Sequence, residues 1–188
     1  MTKPEYGKTI LAIDPGYRAG CKMCIIDPIG NPVSFDKMFL HEMENARAKL
    51  ASIFKNHSID TIVIGNGTGC DETSLLVGEV LLSLKKELPI FIVNESGASV
   101  YSASPVAQEE FPDLDSLDRG TVSIGRRYID PLSELVKVPV GSIGVGMYQH
   151  DVSEKKLSEK LGYVVEDVVN EVGISVNNAS IYVLQHIS

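Results

Sequence analysis

Cysteine is scarce in this 188-residue chain, with three residues, and an odd number argues against a disulfide framework. Cys21-Lys-Met-Cys24 has half of a zinc-site spacing, but no second Cys or His pair follows at a matching distance. On a strand, positions three apart point to opposite faces, so one metal would not take both thiols and strand packing is the expected role. Long apolar runs are missing as well. Nothing approaches the ~20 residues that span a bilayer, so no membrane partner is expected. The amino terminus, Met1-Thr-Lys-Pro-Glu, lacks the apolar core of a signal peptide, which points to a cytoplasmic protein. Positive charge is in short supply: 17 Lys and Arg face 25 Asp and Glu, for a net charge of −8. A chain that grips nucleic acid mainly by neutralising phosphates is usually basic. If this one meets DNA or RNA, it does so through a local patch, a metal or parts of a longer protein. His150, beside Asp151 just before a capped helix, reads as structural, His41, His57 and His186 show no partner pattern, and no Ser/His/Asp or Cys/His catalytic arrangement is visible.

Composition does support a core. Hydrophobic residues make up 44% and charged residues 22%, and at this length about 70% of the extended-chain surface can be buried without staples. Thr9–Asp14, Cys21–Ile26 and Pro32–Met38 are apolar runs of strand length, separated by Pro15-Gly16 and by Asp27-Pro-Ile-Gly-Asn31. Connections this short make neighbouring strands antiparallel. Glu44–Asn56 carries a helical stripe of Ala46, Leu50, Ile53 and Phe54. A further strand over Asp60–Ile64 leads through Gly65-Asn-Gly-Thr-Gly69 into a helix over Asp71–Lys86, whose inner side is expected to carry Leu75, Leu76, Val80, Leu81 and Leu84. Ile90–Val93 reads as a fifth strand, followed by a short helix through Ala103. Three meander strands followed by α/β crossovers predict a mixed sheet with helices on its faces.

Glu109–Asp118 reads as an acidic surface loop, and Arg119–Val138 as a helix interrupted at Pro131. Beyond Pro139, Gly141-Ser-Ile-Gly-Val-Gly146 is a flexible link. Asp151-Val-Ser-Glu154 fits a capping box for a long helix striped by Leu157, Leu161, Val164, Val168 and Val172, with Gly173 as its C-cap. A last helix is expected from Asn177. It is too short to bury its own apolar face, so the chain reads as a piece of a longer protein, with residues 1–140 as one domain and 141–188 as a linker and the start of a helical region.

In such sheets ligands gather at the carboxyl ends of the strands near the switch in strand order. Asp14, Asn66 and Glu95 all fall at strand ends. Asp14, Glu95 and Asp130 could share one site, since clustered carboxylates hold Mg²⁺ or Mn²⁺ and two such ions can clamp a phosphodiester. Each also has a plainer role: Asp14 as the first residue of a turn, Glu95 near a helix start, and Asp130 as an N-cap before a proline. The Gly65–Gly69 loop is better read as a tight strand-to-helix turn than as a phosphate cradle, because Asp71 and Glu72 would repel a phosphate there. Arg119, Arg126 and Arg127, with Lys137, form a basic cluster that meets backbone phosphate, supplies a counter-charge to the carboxylates, or is a solvated face salted against Asp115 and Asp118.

Several stretches together resemble the YqgF-type domain of the bacterial Tex transcription accessory factors. They are Asp14-Pro-Gly-Tyr-Arg-Ala-Gly-Cys-Lys22, Ile64-Gly-Asn-Gly-Thr68, Val93-Asn-Glu-Ser-Gly-Ala-Ser-Val-Tyr-Ser-Ala-Ser104, Arg119-Gly-Thr-Val-Ser-Ile-Gly-Arg-Arg127, Asp130-Pro-Leu-Ser-Glu-Leu-Val-Lys137 and Ser142-Ile-Gly-Val-Gly-Met-Tyr-Gln-His-Asp151. The resemblance implies an RNase H-like α/β fold related to the RuvC resolvases, a five-stranded mixed sheet in the order 3-2-1-4-5, followed by an α-helical extension that enters a helix-hairpin-helix region. It implies that Asp14 is the first-strand acid, Glu95 the acid after the fifth strand and Asp130 the acid of the last helix, with Mg or Mn as the possible cofactor. Arg18, Asn66, Arg119, Arg126 and Arg127 become candidate contacts for nucleic acid, with the transcription machinery as a possible partner and RNA binding left to domains outside the chain. There are departures. The strand before Gly65 ends without the carboxylate of a RuvC resolvase, and Gly69-Cys70-Asp71 stands where Tex proteins usually show Ala-Ser-Arg. Three acids with no fourth favour a non-catalytic, nucleic-acid-associated module over its alternative, a metal-dependent RuvC-like nuclease.

Overall fold

The structure is a computed structural model that describes residues 4–143, 146–147, 149–174 and 181–187. Five strands form one sheet in the order β3-β2-β1-β4-β5: β1 Ile10–Asp14, β2 Cys21–Ile26, β3 Pro32–Met38, β4 Thr61–Gly65 and β5 Ile90–Val93. This is the order that the RNase H-like resemblance implied. β1 pairs antiparallel with β2, setting Asp14 opposite Lys22, and parallel with β4, setting Ile13 beside Ile64. Parallel pairing needs a crossover, which α1 (Met43–Asn56) supplies, and α2 (Cys70–Ser83) crosses from β4 to β5.

β1 and β4 are apolar without alternation because helices cover both faces of the sheet. On one face Leu11, Ile13, Met23, Ile62 and Ile64 pack with Leu50 and Phe54 of α1 and Leu76 and Val80 of α2. On the other, Ile10, Ala12, Cys24, Ile26 and Val63 pack with Val122, Ile124 and Ile129 of α5 (Ser116–Ile129). Cys21 and Cys24 therefore belong to different faces, both as free buried thiols. Burial pushes the Cys24 thiol up to about 12.

The elements between β5 and the end of α5 differ from the sequence reading. After α3 (Ala98–Ala103), α4 (Pro105–Glu110) starts on a Ser104 cap whose hydroxyl accepts from the Ala107 N–H at 3.2 Å. The expected acidic loop thus shrinks to a few residues. α5 begins at Ser116 because Asp115 caps it, accepting from the Asp118 N–H at 2.8 Å. α5 stops at Ile129, and α6 (Pro131–Leu135) restarts after Asp130 with proline at its first position. In α2, Leu75 is 68% exposed, not buried. The inner face is centred on Leu76 and Val80 and takes in Thr73, whose hydroxyl lies 3.4 Å from the Cys21 thiol.

The carboxyl-terminal part is held more lightly. α7 (Glu154–Val172) follows two short 3-10 turns, and its N-cap is Ser153 with no side-chain cap bond, so Asp151 does not cap it. Val169 is its one buried residue, packed with Leu132 of α6 and Val183 of α8 (Ile181–Leu184). Val164 and Val172 of the expected stripe are 55% and 41% exposed. The helix expected from Asn177 starts outside the described residues.

Candidate functional site

Three strand ends meet at one end of the sheet: Asp14-Pro15 at the end of β1, Gly65–Gly67 at the end of β4 and Asn94–Ser96 after β5. The Glu95 carboxylate lies over the two glycines. A Cβ added at Gly65 would stand 2.5 Å from Glu95 Oε2, and one added at Gly67 would overlap Oε1. Glycine is required here because a carboxylate occupies the side-chain space. The backbone around Glu95 is pinned on all sides. Its N–H donates to Asn66 Oδ1 at 3.0 Å, and its carbonyl accepts from the Ala98 N–H at 2.9 Å. Arg127 Nη1 donates to the carbonyls on either side of it, Asn94 at 2.6 Å and Ser96 at 2.8 Å.

Glu95 feels the charge of Asp14. Burial holds the Asp14 carboxyl above its usual range, and the nearby Lys22 ammonium partly offsets this. Glu95 is raised by burial first and by the Asp14 charge second, with the Gly67 N–H and Arg127 pulling it back. Glu95 Oε2 is buried and has no hydrogen-bond partner. Asp118, on the first turn of α5, is raised by its own burial and by Asp115, and it too is lowered by Lys22.

Asp130 does not join this pair. Its carboxylate accepts from the Ser133 N–H at 3.0 Å, the Ser133 hydroxyl at 2.7 Å and the Tyr6 hydroxyl at 3.1 Å. It stands beside the segment that leads into β1, where the Glu5 N–H donates to the Ile129 carbonyl at 2.7 Å. That is the far end of β1 from Asp14. The proline after it sets the capping geometry, and three donors already occupy most of its lone pairs. The burial of Tyr6 and the nearby Asp130 charge push its phenol up to about 12.

The arginines are mostly spent inside the protein. Arg119 is buried, with Nε donating to the Phe111 carbonyl at 3.0 Å. Arg126 Nε donates to the Gly30 carbonyl at 2.7 Å, and its guanidinium lies over the Phe111 ring and 3.6 Å from Glu110. Arg127 clamps the Glu95 turn. The basic cluster is thus neither a solvated face salted against Asp115 and Asp118 nor an open phosphate surface. Arg18 is exposed on the turn after β1 and makes no ion pair among the described residues, next to Tyr17, whose phenol Glu72 at the start of α2 holds above its usual range.

The donor set defines what the site can hold. Two half-buried carboxylates, one with an orphaned oxygen, could take one hard cation that keeps most of its water. A two-ion clamp does not fit, since among the described residues no group of three or more His, Cys, Asp or Glu is placed to hold a metal. Residues that the strand-end argument overlooked are Lys22 and Asp118. Lys22 was readable by counting back across the β1–β2 hairpin from Asp14, whereas Asp118 needed the true start of α5.

Comparison with known proteins covers the whole chain. A family described as "Tex protein YqgF-like domain" matches residues 8–129. The chain is 47% identical over 189 residues to the "Transcriptional accessory protein Tex" of Neisseria gonorrhoeae, covering 100% of this chain and 25% of that protein. It is 44% identical over 195 residues to "Protein YhgF" of Escherichia coli K12, again across 100% of this chain and 25% of the relative. A human protein, "S1 RNA-binding domain-containing protein 1", is 42% identical over 193 residues, with 100% of this chain and 19% of that protein covered. The chain thus spans a quarter or less of the length of these relatives. Among solved structures, RuvC of Thermus thermophilus aligns with a TM-score of 0.48 and 8% identity over 69% of this chain and 95% of that one, a likeness of outline that decides nothing about activity.

Proposed function

Because the chain belongs to the Tex protein YqgF-like domain family, we propose that it works as a non-catalytic, nucleic-acid-associated RNase H-like module of a cytoplasmic transcription accessory protein. The observation that carries this reading is the fate of the third acid. Asp130 is consumed as the cap of α6 and the acceptor for Tyr6, which leaves Asp14 and Glu95 as a pair. In-line cleavage by two ions requires both the attacking and the leaving oxygens to be clamped, and a pair of carboxylates is a sparse ligand set for two ions. The internal use of Arg119, Arg126 and Arg127 and the net charge of −8 argue in the same direction. Grip on the phosphate backbone then falls largely to other parts of a longer protein, such as the kind of domain that the human relative's name describes. Residues 1–140 serve as the RNase H-like unit, and residues 141–188 as a linker into a helix-hairpin-helix region. Arg18, exposed at the rim, is the candidate phosphate contact that this chain keeps.

A one-metal nuclease built on Asp14 and Glu95 is the second reading, favoured by the orphaned Glu95 Oε2. Incubation of the chain with branched and single-stranded DNA and RNA in Mn²⁺ separates the two. The expected result is no cleavage above that of Asp14→Asn, and cleavage that Asp14→Asn abolishes would establish the nuclease instead.

A further inference from the structure

Lys22 stands directly across the β1–β2 ladder from Asp14. Side chains alternate along a strand, so Asp14 shares the face of Ile10 and Ala12, and Lys22 shares the face of Cys24 and Ile26. Those four residues form one cluster under α5, so both charged groups emerge on the same side of the sheet. Directly opposed residues of an antiparallel pair have Cβ atoms about 4.5–5.5 Å apart. On this face the first turn of α5 adds Asp118, and the Lys22 charge acts on both carboxylates. Lys22 makes no direct ion pair among the described residues, so its ammonium acts on the two acids through space and is bound to neither. Asp14 receives no hydrogen bond from a backbone or hydroxyl donor among the described residues, which leaves Lys22 as the neighbouring group that keeps it charged against burial.

We propose that Lys22 is the resident cation of this cleft, an ammonium that lowers the cost of the charges on Asp14 and Asp118 and keeps divalent-ion binding there weak. A Mg²⁺ or Mn²⁺ ion on Asp14 and Glu95 would share this face of the sheet with the Lys22 positive charge in a half-buried setting, where screening by water is poor. The inference rests on the non-catalytic reading and supplies a cause for it beyond the missing third acid: the place of the ion is contested by the chain itself.

The test is Mn²⁺ titration of the chain in the absence of any substrate, with bound and free ion distinguished by electron paramagnetic resonance. Four proteins are compared: the natural sequence, Lys22→Gln, Lys22→Arg, and Lys22→Gln combined with Asp14→Asn. Lys22 is half-exposed, and melting curves confirm that each variant is folded. Lys22→Gln should bind Mn²⁺ at least tenfold more tightly than the natural chain, Lys22→Arg should bind like the natural chain, and the double variant should lose the gain. Equal affinity in Lys22→Gln and the natural chain overturns the inference. So does a gain that survives Asp14→Asn, or a Lys22→Arg that binds as tightly as Lys22→Gln. The cleavage assay judges the module's function separately, because a nuclease could still show any of these Mn²⁺ orders.

Discussion

Asp14 carries a charge that its surroundings make costly. Its folded-state pKa lies above the unfolded value because burial outweighs the help from Lys22. For a carboxyl raised in this way, ionisation costs stability at neutral pH, and the cost fades as pH falls through the folded value toward the unfolded one near pH 4. Asp14→Asn should therefore raise the melting temperature at pH 7 by a few degrees, about 0.5–1 kcal/mol. The advantage should vanish when the melts are repeated at about pH 4. An Asn variant that melts lower at pH 7 would mean that the carboxylate is stabilised in the fold. Glu95 has the same sign but a second cause, the charge on Asp14, so removing Asp14 should also relieve Glu95. Both acids were legible in the sequence because each ends an apolar strand, and strand ends converge in a mixed sheet. Asp130 looked equivalent by family resemblance, yet the proline behind it already signalled the cap that it forms.

At the scale of the elements, two glycines make opposite predictions. Gly125 in α5 faces the sheet, where an added Cβ would lie 2.7 Å from the Cβ of Ala12 and overlap the Ile26 side chain. Gly78 in α2 has nothing within 4 Å of the same position. Alanine favours a helix over glycine by roughly 1 kcal/mol, so Gly78→Ala should stabilise by about that amount. Gly125→Ala should cost about 1–3 kcal/mol, because α5 must lift off the strands it covers. Chemical denaturation of the two variants gives both values, and equal shifts would show that α5 is not seated as described. The five strands and the helices α1, α2 and α7 could be read from periodicity and turn residues alone. In the region from α3 to α6, the short helix through Ala103 and the break at Pro131 were legible, but α4 and the start of α5 were not. The region's helices are short, its boundaries are set by the side-chain caps Ser104, Asp115 and Asp130, and hydrophobic periodicity is weak over six residues.

Across the molecule, α4, α5 and α6 are joined by ionic contacts invisible to any local reading. Lys137 Nζ meets Glu110 at 2.8 Å and Glu134 at 2.7 Å, with side chains only 2% and 4% exposed for Lys137 and Glu134. The Tyr101 hydroxyl bonds Glu110, and the Ser123 hydroxyl donates to Glu134 at 3.0 Å. Burial and the Glu134 charge push the Tyr101 phenol far up. Removing one partner strands the others, so Lys137→Met should cost about 3–5 kcal/mol in urea unfolding. A loss below about 1 kcal/mol would mean that water already reaches the network.

The pairing of β1 with two different kinds of neighbour has a temporal consequence. The hairpin from β1 to β2 closes over a few residues, whereas Ile10 meets Thr61 only after β3 and α1 have been laid down between them. Loop closure of that length is slow and is opposed by chain entropy. Asp14 and Lys22 thus find each other early in folding, while Glu95 arrives only once β4 and β5 have docked. A chain caught before that step presents a carboxylate with its ammonium and no second acid, so any capacity to hold an ion is acquired last.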